Sequence, residues 1–179
     1  MNPSTQAAAA SGAAAAPAGA SQCLTFMLGG ETFAIAILGI KEIIEYRAPT
    51  EVPMMPACVR GVINLRGAVV PVIDPLARFG KPSSAIGKRT CIVIVEIARD
   101  DERQVVGVLV DAVSEVLEIP AADIEPPPSF GARIRSDFIA GMGKVRGKFV
   151  ILIEAQRLLA IDEIEQMSRA AAPAAEALH

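Results

Sequence analysis

Apolar stretches of strand length, separated by glycine or by charged residues, dominate the middle of the chain. Two of them flank Gly29-Gly30, where glycine tolerates the positive φ of a tight turn. Two more are rich in β-branched residues and flank a run of five charged residues at 99–103. The pattern therefore predicts two β-hairpins, with strands at residues 23–28, 33–40, 90–98 and 105–110.

The sequence that follows each hairpin is similar in the two halves of the chain. Residues 35–44 (IAILGIKEII) align without gaps with residues 108–117 (VLVDAVSEVL), which places Glu42 on Glu115. Residues 61–67 (GVINLRG) and 141–147 (GMGKVRG) each precede a further strand, and one half carries an insertion of seven residues. The repeat predicts a tandem duplication, each half supplying four or five strands and a helical turn, a length that suits a small closed barrel.

Helical signals are few. Asp74 followed by Pro75 predicts a helical turn over residues 74–79, with Asp at the N-cap and Pro at the first helical position. Residues 154–169 form the best candidate helix, with a core-facing side made of Leu158, Leu159, Ile164 and Met167. Residues 1–21 and 169–179 are rich in alanine and have little to bury, so we expect both to be disordered tails outside the fold.

Composition narrows the functional classes. Only 4% of the 179 residues are aromatic and none is tryptophan, so the sequence predicts an aliphatic core and no platform for stacking bases. The formal net charge of −3 gives no basic excess for nucleic acid or an anionic membrane. No apolar run approaches the roughly 18 residues of a membrane helix. We therefore expect neither nucleic acid binding nor direct membrane insertion.

Histidine and cysteine are too sparse for the usual catalytic or metal sites. The one histidine is His179, the last residue, so neither a histidine-based triad nor a two-histidine metal site is expected. Cys23, Cys58 and Cys91 lie far apart without a CxxC pair, which predicts reduced, buried thiols in a cytoplasmic protein. The carboxylates show no pairing suited to acid–base chemistry. The sequence thus predicts no enzyme activity, no metal and no cofactor.

Three segments leave alternatives open. The glycines of residues 141–147 resemble a phosphate loop, but a strand follows where a helix is needed, which favours a tight turn. Arg66 is a solvated residue, a donor to carbonyls at a barrel mouth, or a recognition residue of the kind enriched at binding hot spots. Residues 125–130 (EPPPSF) form a rigid connector, the favoured interpretation, or a preformed loop that presents Phe130.

Residues 60–75, RGVINLRGAVVPVIDP, resemble the signature of CheW, the bacterial chemotaxis coupling protein family. Residues 105–130 and 138–159 are also similar to that family, and the resemblance spans residues 22–164. It implies a mainly β domain at residues 22–168, made of two five-stranded SH3-like β-barrels and a C-terminal helix. It also implies an adaptor without catalysis or cofactor.

The resemblance further implies two partners. Family members bind the cytoplasmic tips of methyl-accepting chemotaxis receptors and the regulatory domain of a CheA-type histidine kinase. A cytoplasmic protein recruited to membrane-associated receptor arrays is therefore expected. The same features fit an adaptor of a paralogous pathway, in twitching motility or second-messenger control. A small-ligand-binding β-barrel is a less favoured alternative, and a carboxylate enzyme is remote.

The family's contact positions transfer to this chain residue by residue. Receptor contacts fall on Ile40, Glu42, Gly61, Asn64, Arg66 and Ile92. Kinase contacts fall on Ile37, Glu125, Ser129 and Phe130. Glu125 and Ser129 depart from the basic and acidic residues expected at their positions, whereas Phe130 fits.

Overall fold

The protein is described here from a computed structural model that covers residues 20–83, 85–99, 101–126 and 138–160. Within these ranges the chain forms short strands, two one-turn α-helices, and 3-10 turns at Ile37–Gly39 and Ala121–Asp123. The strands are β1 (Ala20–Leu28), β2 (Glu31–Ala36), β3 (Ile40–Glu45), β4 (Val59–Leu65), β5 (Ala68–Ile73), β6 (Cys91–Arg99), β7 (Glu102–Val110), β8 (Ala112–Pro120), β9 (Ile124–Glu125), β10 (Ile139–Val145) and β11 (Lys148–Ile153). The helices are α1 (Pro75–Arg78) and α2 (Ala155–Leu158).

The strands form two sheets, and each is the framework of one SH3-like barrel. One sheet has the order β3-β6-β7-β5-β4 and is called here the five-stranded barrel. The other has the order β8-β1-β2-β11-β10-β9 and is called the six-stranded barrel. The predicted two-barrel, mainly β fold is confirmed, with β9, a strand of two residues, as the additional member. Neither ladder joins its outer strands by backbone pairing among the described residues.

The two sequence halves exchange their hairpins. The β1–β2 hairpin of the first half joins the six-stranded barrel, where β2 pairs in parallel with β11. The β6–β7 hairpin of the second half joins the five-stranded barrel, where β7 pairs in parallel with β5. Each barrel therefore contains strands from both halves, although the sequence alone suggested one barrel for each half. The pairing of two strands in a hairpin is local and can be predicted from the sequence, whereas the sheet that a hairpin joins depends on long-range packing.

The duplication is visible in local detail. Residues 61–70 and 141–150 have the same sequence of buried, half-buried and exposed positions. Each segment is a hairpin with a register shift near its start, and its turn has positive φ at Arg66 and Gly67 or at Arg146 and Gly147. A one-turn helix follows each hairpin. The two segments therefore fold by the same local rules.

The barrels share a core whose centre is aromatic. Four phenylalanine rings form a chain of contacts. The ring centroids are 6.3 Å apart for Phe26 and Phe33, 5.8 Å for Phe33 and Phe79, and 6.0 Å for Phe79 and Phe138. The same buried cluster contains Val93 from the other sheet. The prediction of an aliphatic core is therefore wrong at its centre. A few phenylalanines are enough to form an aromatic core centre, because four of them come together from separate segments where the two barrels meet.

The helical turn after β5 has the predicted cap. The Asp74 side chain accepts a hydrogen bond from the Leu76 N–H at 3.1 Å, and Pro75 begins α1. Arg60 pairs with the buried Asp74 carboxylate at 3.0 Å. At the end of α1, buried Arg78 donates to the Leu158 carbonyl at 3.0 Å, and its guanidinium lies 4.8 Å from the Phe138 ring centroid. These contacts tie α1 to α2.

Several predicted elements differ in extent, and one cysteine differs in burial. β1 begins at Ala20, inside the tail predicted at 1–21, and β7 begins at Glu102, three residues before its predicted start. The strand predicted at 33–40 ends at Ala36, because a 3-10 turn at Ile37–Gly39 carries the chain into the other barrel. The helix predicted at 154–169 is described only as Ala155–Leu158, with Leu158 and Leu159 fully buried; Ile164 and Met167 lie outside the described residues. Cys23 and Cys58 are buried free thiols, as predicted, whereas Cys91 is half-buried.

Candidate protein-binding surface

An ion pair spans the two outer strands of the five-stranded barrel. Glu42 lies on β3, and Arg66 follows β4, at the opposite edge of the ladder. The guanidinium binds the carboxylate with both terminal nitrogens, and the Nη2–Oε1 distance is 2.9 Å. The Arg66 side chain is 71% exposed, so the pair stabilises the fold little and remains accessible to a partner. Of the three interpretations of Arg66, the structure excludes a donor to barrel-mouth carbonyls as its main role.

The β4–β5 turn holds Arg66 in place. Arg66 and Gly67 have φ values of 54° and 86°, and type I′ hairpin turns require positive φ at both central positions. The Asn64 side chain accepts a hydrogen bond from the Gly67 N–H at 2.9 Å and so closes the turn from within. Arg47 donates to the Asn64 carbonyl at 3.1 Å. Asn64 is therefore an organising residue of this turn as well as an exposed one.

The ion pair changes the protonation chemistry of both partners. The hydrogen bond from Arg66 lowers the pKa of the Glu42 carboxyl below its ordinary value, and the charge of Arg66 acts in the same direction. The hydrogen bond to Glu42 correspondingly raises the pKa of Arg66. Glu42 is therefore ionised throughout the neutral range, and the surface presents a fixed pair of opposite charges.

Gly61 contributes to this surface without facing a partner. It is buried with φ 138°, and a Cβ built on it would lie 2.2 Å from the Thr50 carbonyl oxygen. Thr50 and Val62 pair there through two backbone hydrogen bonds of 2.8 and 2.9 Å. Glycine is therefore required for the segment before β4 to lie against the strand that carries Asn64 and leads to Arg66.

The remaining predicted receptor contacts separate into one partly exposed and one buried residue. Ile40 begins β3 and is half-buried against the shared core. Ile92 on β6 is 0% exposed and packs with Ile63, Val70 and Leu109 inside the five-stranded barrel. As placed in this structure, Ile92 is a core residue and cannot contact a partner directly.

One exposed aliphatic residue at this site is absent from the sequence prediction. Val69 on β5 is 70% exposed and lies directly opposite Asn64 in the strand register, so both side chains share one face. Ile43 follows Glu42 on β3 and is 43% exposed, but its side chain is on the opposite face of the strand, so it is not part of this site. No sequence signal distinguishes Val69, because its strand (AVVPVI) is apolar throughout. We name Glu42, Asn64, Arg66 and Val69 the Arg66 surface.

The predicted kinase contacts lie on other elements, although Ile37 directly adjoins a predicted receptor-contact residue, because the Ile40 N–H donates to the Ile37 carbonyl. Ile37 opens the 3-10 turn between β2 and β3, and its neighbour Leu38 is 97% exposed, a second apolar residue that the sequence prediction missed. Glu125 is exposed on β9, where it pairs with Met142 of β10. Ser129 and Phe130 lie outside the described residues, so the role of the proline-rich segment stays a prediction.

The glycine-rich segment at residues 141–147 is a hairpin, as the favoured interpretation held: β10 leads through Arg146 and Gly147 into β11. In the described part of the chain, no group of three or more His, Cys, Asp or Glu side chains could hold a metal ion. The same ranges contain no helix long and apolar enough to span a bilayer.

Fold and surface together define a class of protein: two small β-barrels packed on one core, with exposed charged and aliphatic side chains at a barrel edge. A family model described as "CheW-like domain" matches residues 22–163. The chain is 33% identical over 141 residues to "Chemotaxis protein CheW" of Klebsiella aerogenes, covering 79% of this chain and 82% of that protein. The protein of the same description from Rhizobium meliloti is 33% identical over 147 residues, covering 82% and 92%.

A solved structure agrees with the sequence relatives. The crystal structure of the scaffolding protein TtCheW from Thermoanaerobacter tengcongensis superimposes with a TM-score of 0.70 at 36% identity, over 77% of this chain and 86% of that one. The chain therefore belongs to the CheW-like family of chemotaxis proteins.

Proposed function

We propose that this protein is a chemotaxis adaptor that couples the cytoplasmic tips of chemoreceptors to a CheA-type histidine kinase, without catalysing a reaction itself. Family membership supports the chemotaxis role. The main structural support for the proposed receptor contact is the solvent-accessible Glu42–Arg66 pair. It lies at a barrel edge, with the exposed Val69 nearby.

A receptor tip fits the chemistry of the Arg66 surface. Chemoreceptor tips are helical hairpins, and an amphipathic helix binds proteins by laying its apolar face on an apolar groove or edge. Val69 supplies aliphatic area, and half-buried Ile40 supplies more where β3 begins. Glu42 and Arg66 supply two fixed charges that set the register of the helix. Gly61 and Asn64 hold the strand and the turn that present Arg66.

For the kinase contact we propose two places: the 3-10 turn with Ile37 and the exposed Leu38, which directly precedes Ile40, and Glu125 on the six-stranded barrel. Leu38 is almost fully exposed at the tip of a 3-10 turn, and a large apolar residue in such a position is well placed for a protein contact. Because Glu125 lies on the other barrel from the Arg66 surface, one adaptor can hold both partners at once, as recruitment to a membrane-associated array requires.

The receptor contact is tested with a matched pair of charge reversals, Arg66→Glu and Arg146→Glu. Both arginines have positive φ in equivalent turns, both pair with a glutamate, and both side chains are 71% exposed. We expect Arg66→Glu to weaken binding of a purified receptor-tip fragment at least about tenfold, because it places two carboxylates together at the contact.

In the same assay Arg146→Glu should leave receptor affinity within about twofold, and both variants should melt within about 2 °C of the unmodified protein. Equal receptor affinity for the Arg66→Glu variant and the unmodified protein would show that the Arg66 surface is not the receptor site.

A further inference from the structure

The six-stranded barrel carries a second version of the Glu–Arg pair. Glu115 lies on the outer strand β8, and Arg146 follows β10 near the opposite edge of the ladder. The distance from Arg146 Nη1 to Glu115 Oε2 is 3.1 Å. The φ of Arg146 is 53°, against 54° for Arg66. The duplication has therefore reproduced the central feature of the Arg66 surface on the other barrel.

An open groove of about 320 Å³ adjoins this second pair. Glu115, Leu117, Arg146, Lys148 and Phe149 are among the residues that line it. Phe149 is 54% exposed and occupies the position equivalent to Val69, so the apolar side chain offered here is larger. Phe149 lies directly opposite Lys144 in the strand register, which places both side chains on one face. We name Glu115, Leu117, Lys144, Arg146, Lys148 and Phe149 the Arg146 surface.

The Arg146 surface carries more positive than negative charge. Lys144 and Lys148 stand at the positions of the neutral Asn64 and Ala68. Arg146 and Lys148 line the groove with Glu115, and Lys144 shares the face of Phe149, so the surface holds three cations and one carboxylate. Beside the Arg66 pair, Lys41 and Arg47 both act on Glu42, but Lys41 also pairs with Glu96 at 3.8 Å. Within the described part of the chain, Glu115 pairs with Arg146, and neither lysine has a carboxylate within ion-pair distance. This excess of positive charge favours an acidic partner.

We propose that the Arg146 surface is a second docking site, which takes an acidic amphipathic helix of a protein other than the receptor tip. The choice of a helix rests on the proposed function of the equivalent Arg66 surface, and the acidic character rests on Lys144 and Lys148. Phe149 and Leu117 contact the apolar face of the helix, while its flanking carboxylates approach the lysines. One adaptor molecule thus offers two related helix sites, distinguished by charge.

Two synthetic helical peptides test the proposal with the full-length, ¹⁵N-labelled protein. Both carry the same leucine face at i, i+3, i+4 and i+7; one has glutamate on its flanks and the other has lysine. We expect the acidic peptide to shift the backbone amide resonances of residues 114–117 and 144–150. The basic peptide should bind at least about tenfold more weakly. Equal affinity for both peptides, no binding of the acidic one, or shifts confined to other residues would each overturn the proposal.

Variants locate the contact and control for folding. Phe149→Ser should weaken the acidic peptide at least about tenfold, while Val69→Ser, at the equivalent exposed position, should leave it within about twofold. The double variant Lys144→Glu/Lys148→Glu should reverse the preference and bind the basic peptide more tightly. An unchanged preference in the double variant, or equal effects of the two serine variants, argues against the site. If the unmodified protein is a dimer and Phe149→Ser dissociates it, the proposal is also wrong, because the occupant of the surface would then be a second copy of this chain.

The receptor-binding experiment and the peptide-binding experiment can succeed or fail independently of each other. Arg66→Glu should leave the acidic peptide bound, and Phe149→Ser should leave the receptor-tip fragment bound. Loss of the receptor result alone would remove the proposed receptor contact. Loss of the peptide result alone would remove only the second site.

Discussion

Replacing Gly61 by alanine tests how closely the Arg66 surface depends on backbone packing. Gly61 has φ 138°, where a non-glycine residue costs on the order of 1–3 kcal/mol. The added Cβ would also lie 2.2 Å from the Thr50 carbonyl oxygen and 2.7 Å from its carbonyl carbon. These are backbone atoms, so no side-chain rotation relieves the clash. The segment at Thr50 must move away, and its two hydrogen bonds to Val62 are lost.

The expected loss has two parts. Each of the two hydrogen bonds contributes roughly 0.5–1.5 kcal/mol, so separating Thr50 from Val62 costs about 1–3 kcal/mol in addition to the backbone strain. The total for Gly61→Ala is then about 2–6 kcal/mol of unfolding free energy. Gly67→Ala is the control, because Gly67 also has positive φ, at 86°, but a Cβ there meets no atom within 4 Å. It should cost only the strain.

Urea unfolding of both variants measures the difference. With a slope of about 2 kcal/mol per molar urea, Gly61→Ala should unfold at a midpoint about 0.5–1.5 M lower than Gly67→Ala. Amide hydrogen exchange at Val62 should also become faster in Gly61→Ala alone. Equal midpoints for the two variants, with protection at Val62 retained, would refute the argument that the close approach of Thr50 makes glycine necessary.

Two further predictions concern charged groups. Asp74→Ala should lower the free energy of unfolding by about 2–4 kcal/mol, because it removes the α1 cap and the ion pair between Arg60 and the buried Asp74 carboxylate; a urea midpoint equal to that of the unmodified protein would contradict this. The Glu42 carboxyl should titrate below the ordinary glutamate value in a carbon-detected NMR titration, and Arg66→Ala should move its midpoint upward. Because the folded pKa is the lowered one, any stability from this pair is present above the ordinary glutamate pKa and is lost as the pH falls through the folded value. An unchanged Glu42 midpoint in Arg66→Ala would show that the pair does not hold in solution.

Local features of the fold could be predicted from the sequence because they depend on neighbouring residues. Gly29-Gly30 indicated a hairpin, Asp74-Pro75 indicated a capped helical turn, and the match of Glu42 with Glu115 indicated a duplication that the structure reproduces in backbone detail. The exchange of hairpins between the two halves could not be predicted from the sequence. It depends on the parallel pairs β2–β11 and β5–β7, which join residues far apart in the chain.

The candidate site was predictable in part for the same reason. Resemblance supplied Glu42 and Arg66, and the structure adds that the two side chains contact each other across the barrel edge. Gly61 could be named but not explained, since its role depends on Thr50 eleven residues earlier. Ile92 was misplaced because a β-branched residue in an apolar strand gives no sign of which neighbours cover it. Val69 and Leu38 were missed because exposure of an apolar residue is a property of the assembled barrels.

The adaptor role itself is tested most directly by sedimentation of this protein with a receptor-tip fragment and the regulatory domain of a CheA-type kinase, separately and together. A protein that couples the two should bind each alone and all three should sediment as one complex, from which Arg66→Glu removes only the receptor fragment. Mutually exclusive binding of the two partners, or loss of the kinase domain together with the receptor fragment in Arg66→Glu, would contradict an adaptor with separate receptor and kinase surfaces.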